Sequence, residues 1–241
     1  MIDGVTFDWW NTLALTTEDQ DRRLRELRVE RLLKATDGLC SREVLLGAYD
    51  RQTALLQEKW GHDIDPSPEE QVRGFLGLAG LDARDAALVE KVSEALGGAL
   101  LEIPPSLFPH VRETLATLRE EGLSVGIVSN TGRTWGHYLR RVQDSLGIGK
   151  FFDVRVFSDE VGIRKPDPAI FRTALEKLGL PAYRVVHVGD DIDADIAGAR
   201  ASGMRAIWFN TGFWRDARTD KADGEIHEMG ELPGLLARWR S

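Results

Sequence analysis

Short apolar runs recur along the chain and are separated by segments in which apolar residues keep helical spacing. Each run is rich in Val, Ile and Phe and ends at polar residues or glycine, a pattern typical of buried strands. The runs lie at Val5–Phe7, Leu123–Val128, Val154–Phe157, Val185–Val188 and Ala206–Phe209. Continuous apolar runs of this kind favour parallel strands that are covered on both faces.

The segment between the first and second runs has no strand pattern. Its apolar residues keep helical spacing throughout and predict four helices, with Ser41 as the N-cap of the second. After this segment strands and helices alternate, which predicts a parallel sheet with helices on both faces. We therefore predict an α/β protein with a Rossmann-like, doubly wound sheet in residues 1–15 and 104–241. Residues 16–103 are predicted to form an inserted helical domain.

Polar residues stand at the carboxyl ends of three predicted strands and before one predicted helix. In chain order they are Asp8, Ser129–Asn130, Lys165 in Lys-Pro-Asp-Pro, and Asp190–Asp191 after Gly189. In an open parallel sheet, a residue at the carboxyl end of a central strand borders the ligand-binding crevice. The pattern therefore predicts that Asp8 lies at the mouth of such a crevice.

These four motifs, in this order, resemble the motifs of the haloacid dehalogenase superfamily, in which they converge on one site. The resemblance extends from Val5 to about Asn210. It implies a Rossmann-like core, with a helical cap inserted between the first and second motifs. It also implies that the first aspartate is the nucleophile of a hydrolase.

The resemblance assigns catalytic roles to five residues. Asp8 would attack a phosphoryl group and form an aspartyl-phosphate that water then hydrolyses. Lys165 would neutralise the phosphate, and Ser129 would hold a phosphoryl oxygen, with Asn130 adding less directly. Thr12 would hold the loop after Asp8 or bond the phosphoryl group itself.

Five carboxylates are too many for a dry crevice, because like charges at close range repel and raise one another's pKa. They are Asp8, Asp190, Asp191, Asp193 and Asp195. A bound Mg²⁺ would resolve this conflict, since carboxylate, carbonyl and water oxygens are its preferred ligands. The resemblance assigns the metal to Asp8, the backbone carbonyl of Trp10, and Asp190. Asp195 or Asp191 would complete the shell, and Asp193 is predicted to be a surface acid.

Trp10 departs from the family pattern of the phosphatases, which usually carry a second aspartate at this position as general acid and base. The indole of Trp10 cannot act as a general acid or base. Family dehalogenases also lack that aspartate, and they act without a metal, so the first motif favours a dehalogenase while the acid cluster favours a Mg²⁺-dependent phosphatase. The prediction is a phosphatase. A 2-haloacid dehalogenase-type hydrolase and a catalytically degraded binding or regulatory protein are the alternatives.

The amino-acid composition of the chain limits which binding partners are expected. The chain has 241 residues and a formal net charge of -8. It has no dense Lys/Arg block, so nucleic acid and anionic membranes are not expected as partners. Cys40 is the single cysteine, which excludes an internal disulfide, and the chain lacks a signal peptide pattern or a membrane-length apolar run. We expect a cytoplasmic protein that acts on a small phosphorylated molecule; the oligomeric state cannot be predicted.

Overall fold

The structure, a computed structural model, describes residues 1–214 and 217–240. The chain divides into two compact units. The core unit comprises Met1–Leu15, Ser106–Asn130 and the described residues from Gln143 onward, and the helical unit comprises Thr16–Pro105 and Thr131–Val142. This division differs from the predicted one at residues 131–142. These residues group with the helices because Trp135 and Tyr138 pack into the hydrophobic core of the helical unit.

The helical unit contains four consecutive helices. They are α1 (Glu18–Ala35), α2 (Arg42–Trp60), α3 (Pro68–Leu78) and α4 (Ala86–Gly97), which continues into a 3₁₀ turn at Gly98–Leu101. The predicted N-cap of α2 is confirmed, since the Ser41 side chain accepts a hydrogen bond from the backbone N–H of Val44. The side chain of Asp85 caps the first turn of α4 by accepting from the backbone N–H groups of Ala87 and Leu88.

The core unit is built on a parallel sheet. Its strands are β1 (Gly4–Phe7), β4 (Ser124–Ser129), β5 (Val154–Phe157), β6 (Val185–Gly189), β7 (Arg205–Phe209) and β8 (Gly224–Ile226), and a separate short antiparallel pair consists of β2 (Ala14–Leu15) and β3 (Ser106–Leu107). The described sheet has the order β5-β4-β1-β6-β7-β8. All neighbouring strands in it are parallel.

The sheet confirms the predicted α/β, Rossmann-like fold class. The five predicted strands are present as β1, β4, β5, β6 and β7. Every residue of β6 is buried, as expected for a parallel strand covered on both faces. The strands β2, β3 and β8 were not predicted, because two or three residues are too few to show an alternating pattern.

Helices follow the strands of the core unit. They are α5 (Val111–Glu120), α6 (Gly136–Ser145), which begins in the helical unit, α7 (Ser158–Val161), α8 (Pro168–Leu178), α9 (Gly198–Ala201) and α10 (Leu232–Arg240). The predicted start of α8 is confirmed, with Asp167 as N-cap and Pro168 at the first helical position. Among the described helices, none is long and apolar enough to cross a membrane.

One predicted helix, from Ile192 to Ser202, begins instead as a π-helical turn at Ile192–Ala197 and becomes α-helical only in α9. The backbone N–H of Ile196 donates to the carbonyl of Asp191 at 3.2 Å, which is the longer-range bond of a π-helix. Such turns are frequent at functional sites because they re-aim side chains that an α-helix would direct elsewhere. Here the turn carries the acidic residues of the fourth motif.

Candidate active site

Asp8 lies directly after β1, a central strand of the sheet. Its backbone N–H donates to the carbonyl of Val188 in β6 at 2.9 Å, which fixes the residue to the sheet. The side chain is buried, and Oδ1 accepts a hydrogen bond from Lys165 Nζ at 2.6 Å. The structure therefore brings the predicted nucleophile and the predicted cation into direct contact.

Asn130 holds the backbone of Lys165 in place. The N–H of Lys165 donates to Asn130 Oδ1 at 2.8 Å, and Asn130 Nδ2 donates to the carbonyl of Lys165 at 3.0 Å. This reciprocal pair joins the end of β4 to the segment before α8. Asn130 therefore positions the backbone of Lys165, whose Nζ also donates to the carboxylate of Asp195.

Three buried carboxylates form one cluster. One oxygen from each of Asp8, Asp190 and Asp195 lies within 4.8 Å of the others. Asp191 does not join them, because its Oδ1 accepts the backbone N–H groups of Asp193 at 2.9 Å and Ala194 at 2.8 Å and so caps the π-helical turn. Asp193 is exposed. Of the two candidates for the last metal-ligand position, Asp195 is the one that the structure places beside Asp8.

The loop after Asp8 carries Trp10, which is partly buried, with its ring centroid 6.1 Å from that of Trp9. Asn11 follows with a φ of 55°, and its N–H donates to the carbonyl of Ala14 at 2.7 Å. Asn is among the few residues that adopt left-handed backbone readily, which explains why it can occupy a position where the family usually has glycine. The turn therefore keeps its form although the second aspartate is absent.

Two hydroxyl groups predicted for the site lie on different elements. Ser129 ends β4, is fully buried, and donates from Oγ to the carbonyl of Asn130 at 3.2 Å. Thr12, in the loop after Asp8, donates from Oγ1 to Asp190 Oδ1 at 3.2 Å. Thr12 therefore ties the loop of the first motif to the carboxylate of the fourth.

Burial sets the charge state of the three acids. It raises the pKa of Asp8 to about 6, although the ammonium of Lys165 opposes the shift. It raises the pKa of Asp190 to about 7, and the charges of Asp8 and Asp195 push in the same direction. For Asp195 burial also acts upward, but Lys165 and His187 outweigh it and lower the pKa to about 2. Burial thus favours the protonated forms of Asp8 and Asp190, whereas Lys165 and His187 favour the ionised form of Asp195.

The donor set fits a hard divalent cation. Three carboxylates face one ammonium, whose own pKa is raised by Asp195 and Asp8 against the opposing effect of burial. Oxygen ligands of this kind and a surplus of negative charge suit Mg²⁺. A cation between Asp8 and Asp190 would favour the ionised forms of both carboxyls, against the burial that raises their pKa values.

His187 lies behind the cluster and was missed by the sequence analysis. It is fully buried in β6, with Nε2 3.1 Å from Asp195 Oδ1 and Nδ1 2.9 Å from Thr6 Oγ1. Burial lowers the pKa of the imidazole, so the ring is neutral; because Asp195 is ionised, Nε2 donates to it and Nδ1 accepts from Thr6. The sequence does contain a signal for His187, because it is a single polar residue within the apolar run Val185–Val188.

Two tryptophans also hold Asp190 and were not predicted as site residues. Trp208 Nε1 in β7 donates to the backbone carbonyl of Asp190 at 2.9 Å. Trp214 Nε1 donates to Asp190 Oδ2 at 2.8 Å, although the Trp214 side chain is 44% exposed. With Thr12 on Oδ1, both oxygens of this carboxylate have a donor. No sequence pattern distinguished Trp214 from the rest of the irregular segment after Gly212.

Comparison with known proteins shows which family the chain belongs to. The family model "haloacid dehalogenase-like hydrolase" matches residues 2–203. Glyceraldehyde 3-phosphate phosphatase of Methanocaldococcus jannaschii is 34% identical over 132 residues, which are 54% of this chain and 56% of the relative. The chain therefore spans about half the length of that relative. Phosphoglycolate phosphatase of Salmonella typhi is 29% identical over 88% of this chain and 82% of its own length.

A solved structure agrees in fold over nearly all of the chain. The 2-haloacid dehalogenase of Pseudomonas syringae pv. tomato has a TM-score of 0.71 and 32% identity, covering 99% of this chain and 100% of its own. The family match includes all four motifs, from Asp8 to Asp195. The nucleophile, lysine and acid cluster thus lie where the resemblance of the motifs predicted them. The chain belongs to the haloacid dehalogenase-like hydrolase family.

Proposed function

We propose that the protein is a Mg²⁺-dependent phosphatase that acts on small phosphomonoesters through an aspartyl-phosphate on Asp8. The observation that carries this proposal is the cluster of Asp8, Asp190 and Asp195 beside Lys165. A dehalogenase that works without a metal has no use for two further carboxylates beside its nucleophile, and they would repel a carboxylate substrate. The names of the curated relatives, phosphatases of small phosphorylated molecules, support the same class of substrate.

The metal ligands in this proposal are Asp8, Asp190, Asp195 and the backbone carbonyl of Trp10. Bound Mg²⁺ would neutralise phosphoryl oxygens and so lower the barrier to attack by an anionic carboxylate. Asp191 has a supporting role, because its side chain is committed to the π-helical turn that carries Asp195. The imidazole of His187 contacts Oδ1 of Asp195, the oxygen that also accepts from Lys165.

The reaction would proceed in two displacements at phosphorus. An oxygen of ionised Asp8 attacks phosphorus, the bond from phosphorus to the ester oxygen breaks, and that oxygen leaves with the bonding electrons as an alkoxide or aryloxide, which takes a proton from water. A water molecule then attacks the aspartyl-phosphate, inorganic phosphate leaves, and the carboxylate of Asp8 is restored. Lys165 neutralises the transferred group in both steps, and Ser129 with the backbone N–H groups after it binds a phosphoryl oxygen. That the helical unit selects the substrate stays a prediction.

Hydrolysis of p-nitrophenyl phosphate with and without Mg²⁺ tests the proposal. We expect turnover that requires Mg²⁺ and that is abolished in Asp8→Asn, because an amide is not a nucleophile. Asp193→Asn is the matched control, since it removes an exposed carboxylate from the same segment without touching the cluster. An Asp8→Asn protein with wild-type activity would overturn the assignment of the nucleophile.

Trp10 favours a second candidate, a hydrolase of the 2-haloacid dehalogenase type that uses Asp8 on carbon. Halide departs without a proton, so this chemistry does not need the second aspartate, and a 2-haloacid dehalogenase is among the similar structures. Release of chloride from 2-chloropropionate without Mg²⁺, in a protein inert toward p-nitrophenyl phosphate, would establish it. A protein that is inert in both assays would be a binding or regulatory member of the family.

A further inference from the structure

Three arginines of the helical unit surround Tyr49 on α2. The guanidinium carbon of Arg133 lies 3.8 Å from the centroid of the tyrosine ring, and that of Arg25 lies 5.7 Å from it. Nη1 of Arg28 donates to the tyrosine hydroxyl at 3.3 Å. All four residues belong to the helical unit and are distinct from the carboxylate cluster of the core unit.

The positive charge of this group is only partly compensated. Arg25 pairs with Asp50 at 2.8 Å. Within the part of the chain that the structure describes, the ion pairs of the helical unit leave Arg28 and Arg133 without a carboxylate partner. Arg28 is nevertheless 8% exposed, and a buried charge without a counter-ion is costly. A protein with a net charge of -8 thus keeps two unpaired arginines together.

Neutral acceptors orient both guanidinium groups without neutralising them. Arg28 donates from Nε to the carbonyl of Leu96 at 3.0 Å and from Nη2 to Thr134 Oγ1 at 2.9 Å. Arg133 donates from Nη1 to Gln52 Oε1 at 2.7 Å and from Nη2 to two further oxygens of α2. A guanidinium has five N–H groups, so each arginine keeps donors that these acceptors do not use.

Desolvation and mutual repulsion both disfavour the charged forms of these arginines. Burial lowers the pKa of Arg133 to about 10, and the neighbouring charges of Arg28 and Arg25 act in the same direction, whereas Tyr49 and Asp50 oppose the shift. An anion bound between the two unpaired groups would relieve this. The planar guanidinium fork matches the two oxygens of a carboxylate or phosphate, which makes arginine the usual residue for such groups.

We propose that Arg28 and Arg133 form a binding site for the carboxylate or phosphate group of a small anionic molecule. The site belongs to the helical unit, and it goes beyond the proposed phosphatase activity, on which it does not depend. Its ligand is either a second anionic group of the substrate or a separate small anion. Both share the same recognition chemistry, and the experiment separates them.

The test titrates malonate and, separately, inorganic phosphate into metal-free protein, followed by calorimetry and by the melting temperature. We expect both anions to bind and to raise the melting temperature of the wild type by mass action. Arg133→Gln should weaken binding at least ~10-fold, which corresponds to about 1.4 kcal/mol. Arg31→Gln is the matched control, because Arg31 lies in the same unit but already pairs with Glu94 and Glu102.

A structural role of the arginines is distinguished from anion binding by the shift in melting temperature that the anion causes. The melting temperature of each variant without the anion reports only the structural role. Arg28→Lys keeps the charge but loses the fork, so it should fold and bind more weakly than the wild type. Two outcomes would overturn the proposal: equal anion-induced shifts in melting temperature in the wild type and in Arg133→Gln, or no anion binding to the wild type. Both arginines would then have only the structural role of hydrogen bonding between helices.

A kinetic comparison identifies the source of the anion. If Arg133→Gln raises KM for 2-phosphoglycolate, which carries a carboxylate, but not for p-nitrophenyl phosphate, the site binds the second anionic group of the substrate. If the variant loses malonate binding with both KM values unchanged, the site binds a separate anion. These kinetics rest on the proposed activity, whereas the calorimetry does not, so failure of one is distinguishable from failure of the other.

Discussion

Trp10 is the residue that most shapes the expected chemistry. Asp8, the proposed nucleophile, lies beside Lys165 and two further acids, but an indole occupies the position of the family's general acid and base. General acid–base catalysis is typically worth ~10²–10⁴-fold in rate. An alkyl phosphate, whose leaving alkoxide needs a proton, should suffer most from its absence, and an aryl phosphate with a stable leaving anion should suffer least.

We therefore expect a steep dependence of kcat/KM on the acidity of the leaving group. Trp10→Asp should flatten it and raise the turnover of alkyl phosphates, because the carboxylate restores the proton donor. The measurement is a series of aryl and alkyl phosphates with wild type and variant, after circular dichroism has shown that the variant folds. Equal cleavage of alkyl and aryl phosphates by the wild type would show that another residue supplies the proton.

Trp214 gives the metal site an optical signal. Its indole N–H donates to Asp190 Oδ2, one of the carboxylate oxygens available to a cation. Mg²⁺ should therefore change the tryptophan fluorescence. Trp214→Phe should reduce that change and weaken Mg²⁺ binding by up to ~10-fold, the lower end of the range for groups that orient metal ligands.

Trp239→Phe is the control for this experiment, because Trp239 lies in α10 and stacks with Arg205. It should leave both the fluorescence change and the Mg²⁺ affinity as they are in the wild type. A fluorescence response to Mg²⁺ that is the same in Trp214→Phe and in the wild type would show that this indole does not sense the cation.

Among the elements, β6 and the π-helical turn after it contribute most to the site. β6 carries His187, the π-helical turn carries Asp195, and Asp190 lies between the two; the side chain of Asp191 caps the turn. The tertiary bond from His187 then holds Asp195 in the cluster. One strand end and one irregular turn thus supply two of the three carboxylates.

The raised pKa values of Asp8 and Asp190 give the metal site a pH dependence. Both acids bind protons in the metal-free native state up to pKa values of about 6 and about 7, whereas their ordinary value is 3.8. This contribution therefore makes metal-free stability fall as pH rises through that interval. Mg²⁺ needs the ionised forms, so its stabilising effect should grow between about pH 5 and pH 8.

Melting curves with and without Mg²⁺ across this pH range check the expectation. The difference in melting temperature should be small at the acidic end and should increase with pH. In Asp190→Asn, which cannot ionise at this position, the difference should be small at every pH. A difference that is independent of pH in the wild type would contradict the assignment of these acids as metal ligands.

At the level of the whole protein, each unit contains a hydrophobic cluster of its own. In the helical unit, Phe75, Leu76 and Val92 are fully buried in one cluster, while the residues of the catalytic site all lie in the core unit. Packing of the helical unit and metal binding by the core unit therefore depend on different residues.

Leu76→Ala should lower the free energy of unfolding by about 2–5 kcal/mol, because it leaves a cavity in a fully buried site. The affinity for Mg²⁺ should not change. Val44→Ala is the control in the same unit, since Val44 is 41% exposed and its truncation should cost little. Denaturant unfolding and calorimetric Mg²⁺ titration measure the two quantities, and a loss of Mg²⁺ affinity in Leu76→Ala would show that the units are coupled.

Patterns in the amino-acid sequence were sufficient to predict five strands, namely β1, β4, β5, β6 and β7, their parallel arrangement and the residues at their carboxyl ends. These features follow from local patterns: apolar runs such as Val185–Val188 are long enough to read, and the alternation with helices leaves few topologies. Asp8, Lys165 and Asp190 were found in this way, with the order of the motifs indicating the family. The capped start of α8 at Asp167 was equally local.

Which side chains meet at the site is evident from the folded structure alone. Asp195, not Asp191, joins Asp8, because a π-helical turn shifts the directions that regular helical spacing would give. Asn130 orients Lys165, and Trp214 reaches Asp190, through bonds between residues far apart in the chain. Arg28 and Arg133, which both contact Tyr49, likewise come from distant segments of the chain. Such contacts depend on the packing of separate elements, and no periodicity within one element encodes them.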